Sequence, residues 1–363
     1  MDLTVAIAPD SFKGSFAAGA VAQAIAEGWA LVRSGDTLRL LPQADGGEGT
    51  LAALAQYSPA ARMVDAGWVT GPDGRPTRGL WLRLPGGVAV VELAEVSGLP
   101  LMHLLDAAGA TSRGLGEVIA HAVGHGARRL IIALGGSAST DAGIGALRAL
   151  GLGVYGPDGS DVADGGEALA NIHAIDNSRL IPSPLGGVTL LTDVTAPLLG
   201  PGGAAAVFAP QKGATALEVA RLEAALHHVA NLLGGEPNAP GAGAAGGTAY
   251  GFRTLWGASV EPGAGFVRRA SGLDAMLAEL DVVVTGEGRF DGQSMGGKVV
   301  GEVLTAASAK GVRTGVIAGQ IATPPPGWSA ALVDVAGSVA EARRNPKTWL
   351  RVLGARAAAA LSA

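Results

Sequence analysis

The sequence has no cysteine in its 363 residues. Disulfides, thiolate metal sites and a cysteine nucleophile are therefore excluded, and the composition suits a reducing compartment. Aromatic residues are scarce at 4%, so the 48% hydrophobic content rests heavily on alanine. No strongly apolar run reaches the roughly 18 residues that a membrane helix needs. Like charges do not cluster, and a net charge of −5 gives no electrostatic support for holding a nucleic-acid backbone. Leu3 to Ala8 is strand-like from the start, without the basic, apolar and small-residue segments of a secretory signal. A cytoplasmic protein with neither a membrane nor a nucleic-acid partner is expected. Lysine is scarce too: Lys13, Lys212, Lys298, Lys310 and Lys347 stand against 21 arginines. Lys13, Lys212 and Lys298 each adjoin a glycine in a loop-like motif.

What is present is glycine, 58 residues of it, punctuating apolar runs. The length favours two domains. Residues 3–9 read as a buried strand and Val21 to Trp29 as a helix, with Pro9-Asp-Ser-Phe-Lys-Gly14 as the loop between them. Thr37 to Leu41, the loop Gln43-Ala-Asp-Gly-Gly-Glu-Gly49 and the helix Thr50 to Gln56 repeat that order. From about Ala61 the texture changes to short antiparallel strands, Val64 to Val69, Thr77 to Leu84 and Val88 to Glu92. A helix over 115–125, a strand Arg129 to Leu134, the loop Gly135 to Gly143 and a further helix follow. Residues 234–248 read as a linker, with a loop or helix start closing over a ligand as the competing reading. Asp281 to Thr285 is a strand, Gly286 to Gly297 a loop, Lys298 to Lys310 a helix and Thr314 to Ala318 a strand. The expected fold class is α/β, in two α/β domains. Residues 1–60 with 275–363 form a discontinuous Rossmann- or flavodoxin-like parallel sheet, and 61–274 form an inserted mixed domain. The active site is expected in the cleft between them.

Ligands of open parallel sheets bind beyond the carboxyl ends of the strands. Asp10, Ser11, Lys13, Asp45, Glu48, Glu287, Arg289 and Asp291 all follow predicted strands. Taken singly these motifs are ambiguous: Asp10-Ser11 could cap a helix, and Ala44-Asp-Gly-Gly-Glu-Gly49 could be a turn. Gly292-Gln-Ser-Met-Gly-Gly297-Lys298 imitates a phosphate-cradling loop, but Val299 replaces the hydroxyl that reaches magnesium, so a P-loop is rejected. Dinucleotide fingerprints and the G-x-S-x-G elbow are incomplete. His121 and His125 stand four apart on a helix, yet without further ligands a solvated helix face is the better reading.

Read together, the motifs resemble the bacterial glycerate kinase family that includes the glycerate 2-kinases. The resemblance rests on Ala8-Pro-Asp-Ser-Phe-Lys-Gly14, Ala44-Asp-Gly-Gly-Glu-Gly-Thr50, Thr111-Ser-Arg-Gly114 and Gly135-Gly-Ser-Ala138. It continues through Thr192-Asp-Val-Thr195, Pro210-Gln-Lys-Gly213, Pro240 to Gly247, and Val284-Thr-Gly-Glu-Gly-Arg289 with Gly297-Lys298. It implies transfer of a phosphoryl group from ATP, with Mg2+, to D-glycerate, and favours the 2-position over the 3-position. Two departures stand out: Ser139-Thr140-Asp141-Ala142 where the family often has Thr-Asn-Asp-Gly, and Ala196 where it often has Asn.

On that reading Arg289, with Arg113 as second candidate, clamps the substrate carboxylate. Lys13 meets the transferring phosphoryl oxygens, assisted by Lys298. Asp193 is the base or a magnesium ligand, with Asp45 and Asp10 as alternatives, and Glu287 and Asp291 rank behind them. Asp10, Ser11, Arg113, Glu287, Arg289 and Lys298 form the expected substrate site, and Asp45, Asp193 and Asp291 the expected metal ligands. Gly135, Gly136, Ser137, Thr140 and Asp141 are the expected ATP-phosphate loop, preferred over Gly243 to Gly247. A kinase for another small hydroxy acid and a non-catalytic binder of small acids stand as alternatives; a homodimer is left open.

Overall fold

The computed structural model describes residues 1–12 and 14–362. The chain forms two compact units: Met1–Asp45, Ala52–Tyr57 and Gly263–Ala363 make one, and Gly46–Leu51 with Ser58–Pro262 make the other.

The first unit is built on a five-stranded, wholly parallel sheet. Across it lie Trp328–Ala331, Arg313–Ile321, Val282–Phe290, Thr4–Ile7 and Thr37–Leu40. In chain order this is 2-1-3-4-5, the flavodoxin order, and it reverses direction between Thr4–Ile7 and Val282–Phe290. Val5, Ala6 and Ile7, like Val282, Val283 and Val284, are completely buried. Such continuous apolar runs are what a strand covered on both faces requires.

Helices Ala18–Val32 and Pro346–Leu361 pack closely on one another. A methyl on Gly28 would sit 2.0 Å from the Arg351 carbonyl oxygen, and one on Gly354 2.2 Å from that of Ile25. Bare backbone therefore sets the helix spacing, while Trp29, Leu350 and Leu353 fill the surrounding core.

The expected loop from Gly286 is instead strand as far as Phe290. Glu287 stands opposite Ala318, and Arg289 opposite Gln320. Glycine implied a turn, but here it serves close approach: a methyl on Gly286 would fall 1.9 Å from the Ile317 carbonyl oxygen.

The second unit holds a six-stranded mixed sheet ordered Ser259–Glu261, Val188–Leu191, Arg129–Ala133, Val88–Glu92, Pro76–Leu84, Arg62–Thr70. The first four strands run parallel and the last two are added antiparallel, as the short strands after Ala61 predicted. The helix Arg113–Gly124 covers one face through Leu115, Val118 and Ile119. On that helix His125 is exposed, but His121 is half-buried and accepts from the Trp81 indole at 3.0 Å. The solvated face expected for both histidines thus holds for one of them.

The expected linker is the largest departure. Residues 234–240 run along the surface, but 241–248 are packed inside. A methyl on Gly243 would meet the Pro197 carbonyl oxygen at 2.2 Å, and one on Gly246 that of Ser139 at 2.1 Å. Flexible composition reads as disorder, yet the same small residues let backbone enter a crowded interior.

Candidate active site

In the first unit, a cavity of about 410 Å³ opens at the carboxyl edge of the parallel sheet, beside the strand-order reversal. Asp10 and Ser11, just past Thr4–Ile7, line it together with Asp45, Glu287, Arg289, Asp291 and Lys298. Asp10 is nearly buried, and its Oδ1 accepts from the Ser11 amide at 2.6 Å. The Asp10 amide donates to the Gly286 carbonyl oxygen at 2.8 Å, tying this turn to the neighbouring strand.

Glu287 and Arg289 are two apart on one strand, so both side chains lie on one face of the sheet. Arg289 is exposed and faces Asp291 at 3.8 Å. An exposed pair that long contributes little, which leaves the guanidinium available to an incoming carboxylate. Asp291 opens a tight turn in which its Oδ1 accepts from the Gln293 amide at 3.0 Å and its own amide donates to Ser294 Oγ at 2.9 Å. Lys298 follows at the N-terminal cap of the helix Val299–Ser308. A cation and a helix N-terminus together favour an anion at this end of the cavity. Lys13 lies outside the described residues.

In the second unit, Gly135 and Gly136 follow the strand Arg129–Ala133, and Gly136 is exposed at φ +78°. The Gly135 amide donates to the Gly46 carbonyl oxygen at 3.1 Å, and a methyl on Gly135 would stand 2.4 Å from the Gly47 Cα. Two glycine motifs far apart in sequence are thus packed backbone to backbone. Ser137 is 7% exposed, whereas Thr140 and Asp141 are completely buried. The Asp141 carboxylate accepts from the Ser112 amide and hydroxyl at 2.9 and 2.7 Å, and from the amides of Gly143 and Gly145 at 3.1 and 3.3 Å. It braces the loop from within. Ala142 adopts φ +53°, a conformation that costs an L-residue roughly 1–2 kcal/mol and that glycine adopts freely.

Residues 5–362 match the model of the Glycerate kinase family. The chain belongs to the glycerate kinase family. It is 41% identical to the Glycerate kinase of Bacillus subtilis (strain 168), over 88% of this chain and 85% of that one. It is 38% identical to the Glycerate 2-kinase of Escherichia coli (strain K12), over 82% and 80% respectively. A crystal structure of a Salmonella typhimurium LT2 protein described as glycerate kinase 2 superposes with a TM-score of 0.83 at 35% identity, covering 100% of this chain and 99% of that one.

The protein is therefore a kinase, and the residues expected at its active site fall in different places. Seven of the expected residues, Asp10, Ser11, Asp45, Glu287, Arg289, Asp291 and Lys298, share one cavity. Asp193 does not line it; it is half-buried after the strand Val188–Leu191 in the second unit. Arg113 is engaged elsewhere, its Nε 2.5 Å from Asp164, a carboxylate that Arg148 also grips.

Among the described residues no group of three or more His, Cys, Asp or Glu stands together as a metal cage. Magnesium in phosphoryl-transfer sites takes one or two carboxylates and completes its shell with phosphate and water, and Asp45 and Asp291, which line the same cavity, are acids of the type that demand calls for. No helix among the described residues is long and apolar enough to cross a membrane.

Two residues of this kinase received no role from the sequence. Glu92, at the end of Val88–Glu92, is completely buried and accepts from the amides of Gly49 at 2.8 Å and Leu51 at 3.0 Å. Burial pushes its carboxyl up to about 7, against the pull of those two amides, and the charges of Glu95 and Glu48 add to the rise. Nothing in the apolar run of that strand marks its last residue. Lys212 is 2% exposed, and its ammonium donates to Ser137 Oγ at 3.0 Å and to the Ser139 carbonyl oxygen. Burial pushes its ammonium down to about 8, against the raising effect of Asp141. The scarcity of lysine and its place in the motif Pro210-Gln-Lys-Gly213 marked it without giving it a role.

Proposed function

We propose that the protein phosphorylates D-glycerate with ATP and magnesium in the cytoplasm, giving 2-phosphoglycerate. The observation that carries this reading is the meeting of Arg289 and Lys298 with four carboxylates at the switch point of a flavodoxin-order sheet, in a chain of the glycerate kinase family. Glycerate is a small anion with two hydroxyls, so its site must clamp a carboxylate and leave one hydroxyl in line with the γ-phosphate. Arg289 suits the clamp because its planar fork matches a carboxylate and its exposed pairing with Asp291 is readily exchanged.

Lys298 and Lys13 supply positive charge to the transferring phosphoryl oxygens. Asp45 and Asp291 would hold magnesium, whose chemistry is to neutralise charge on the β- and γ-oxygens. Asp10 and Asp193 are the candidates to orient the acceptor hydroxyl and take its proton. Gly135 and Gly136 form the accessible part of the proposed nucleotide loop, with Ser137 just below them and Thr140 and Asp141 supporting the loop from beneath. The 2-position follows the Escherichia coli relative, whose name is Glycerate 2-kinase.

Purified protein with magnesium, ATP and D-glycerate, followed by NMR of the product, tests reaction, acceptor and position together. 2-Phosphoglycerate is expected. No phosphoglycerate would sink the reading, and the 3-isomer would correct its regiochemistry. Lys13→Ala and Asp193→Asn should each lower kcat by orders of magnitude with an unchanged circular dichroism spectrum.

A further inference from the structure

Lys212 is a buried cation that the chemistry above does not use. Its helical turn, Pro210–Lys212, brings the ammonium beneath the loop that carries Gly135 and Gly136. An ammonium has three protons and no lone pair, so in the bond to Ser137 the lysine must donate and the hydroxyl oxygen must accept. A serine hydroxyl has one proton, and this arrangement leaves it free to be given to another acceptor. Ser137 Oγ makes no other hydrogen bond among the described residues. Its backbone neighbours fix it as well: the Ala138 amide donates to the Ser97 carbonyl oxygen at 2.9 Å, and the Leu99 amide to that of Gly136 at 2.9 Å. A positive charge thus stands one hydrogen bond behind a hydroxyl polarised to donate, next to an exposed glycine. That is the arrangement an anionic oxygen seeks.

We propose that Lys212 is a positioning residue for the nucleotide: it fixes Ser137 as an outward donor to a phosphoryl oxygen of bound ATP and places positive charge behind the Gly135–Gly136 turn. The assignment rests on the kinase reading above and adds a role to a residue outside the proposed contact set. The charged group facing the ammonium is Asp141, which is fully committed to four donors and so braces the lysine without taking its place.

The test compares Lys212→Met, Ser137→Ala and the double variant. ATP affinity is measured by calorimetry without acceptor, and steady-state kinetics are measured with both substrates across pH 6.5 to 9.5. Lys212→Met should weaken ATP binding about tenfold or more, the order expected for losing a charge-assisted hydrogen bond. The KM for glycerate should stay within about twofold. Ser137→Ala should weaken ATP to a similar degree, and the double variant should be no worse than Lys212→Met, because the lysine acts through the serine. The wild-type kcat/KM for ATP should fall on the alkaline side of about 8, where the buried ammonium loses its proton, and this limb should be missing in Lys212→Met.

Full additivity of the two changes, or unaltered ATP affinity in Ser137→Ala, overturns the proposal. Should Lys212→Met fail to fold, Ser137→Ala and the wild-type pH profile decide alone. If the wild type binds ATP but does not phosphorylate glycerate, the reading of the acceptor fails while the role of Lys212 is still measured. If it binds no ATP, both fall.

Discussion

The amide of Gly49 donates a 2.8 Å hydrogen bond to Oε1 of Glu92, and the amide of Leu51 reaches the other carboxyl oxygen at 3.0 Å. One buried side chain at a strand end thereby fixes the turn that follows Asp45. A glutamate ordinarily ionises near 4.5, whereas this one holds its proton to about 7. Between those values the folded chain binds more protons than the unfolded chain, so stability should fall as pH rises through that window and level off above it. The slope should approach at most about 1.4 kcal/mol per pH unit and should flatten in Glu92→Gln. Urea melts of both proteins at pH 5, 6 and 7 check this; equal slopes would refute it.

The two arginines proposed for the substrate carboxylate should separate cleanly. Arg289→Ala should raise the KM for glycerate about 10- to 100-fold, the range for losing a hydrogen-bonded charge partner. Arg113→Ala should leave that KM within about twofold and instead lower stability by about 1–3 kcal/mol, because Asp164 loses one of the two guanidinium groups that satisfy it. Kinetics with thermal melts distinguish the outcomes, and the reverse pattern would exchange the assignments.

Divalent cation should be obligatory. Stripping the protein with EDTA should abolish turnover, and magnesium should restore it. Asp291→Asn should raise the magnesium concentration for half-maximal rate about tenfold, since one of few carboxylate ligands is lost. A magnesium dependence identical to wild type would remove Asp291 from the metal.

The apolar runs of the parallel strands and the order of the glycine motifs were legible in the sequence because each reflects local chemistry. Burial of Val5 to Ile7 demands an unbroken apolar stretch, and such a stretch is visible without coordinates. What glycine does at each place was not legible. Gly286 continues a strand, Gly136 turns with positive φ and Gly246 enters a packed interior, and the letter is the same in all three. Glu92 and Lys212 were hidden for a related reason: their importance lies in amides and hydroxyls that are more than 40 residues away.

Contact between the helices Ala18–Val32 and Pro346–Leu361 should be intolerant of a single methyl. Gly28→Ala places a carbon 2.0 Å from a backbone oxygen that cannot rotate away. Overpacking of this kind costs about 1–3 kcal/mol or more, enough to lower Tm by several degrees. Gly124→Ala, where an added methyl meets nothing within 4 Å, serves as the control and should not lower Tm. A melt of Gly28→Ala that matches wild type would show that the helices can slide apart.

The interior course of residues 241–248 bears on how this chain can be cut and rebuilt. A protease, an inserted tag or a new pair of termini would be directed by composition to this glycine- and alanine-rich stretch. Its backbone is sheltered, so nicking there should wait for global unfolding, and inserted sequence should abolish folding instead of dangling from the surface. The exposed neighbours at 234–240 are the permissive place, a few residues from a forbidden one.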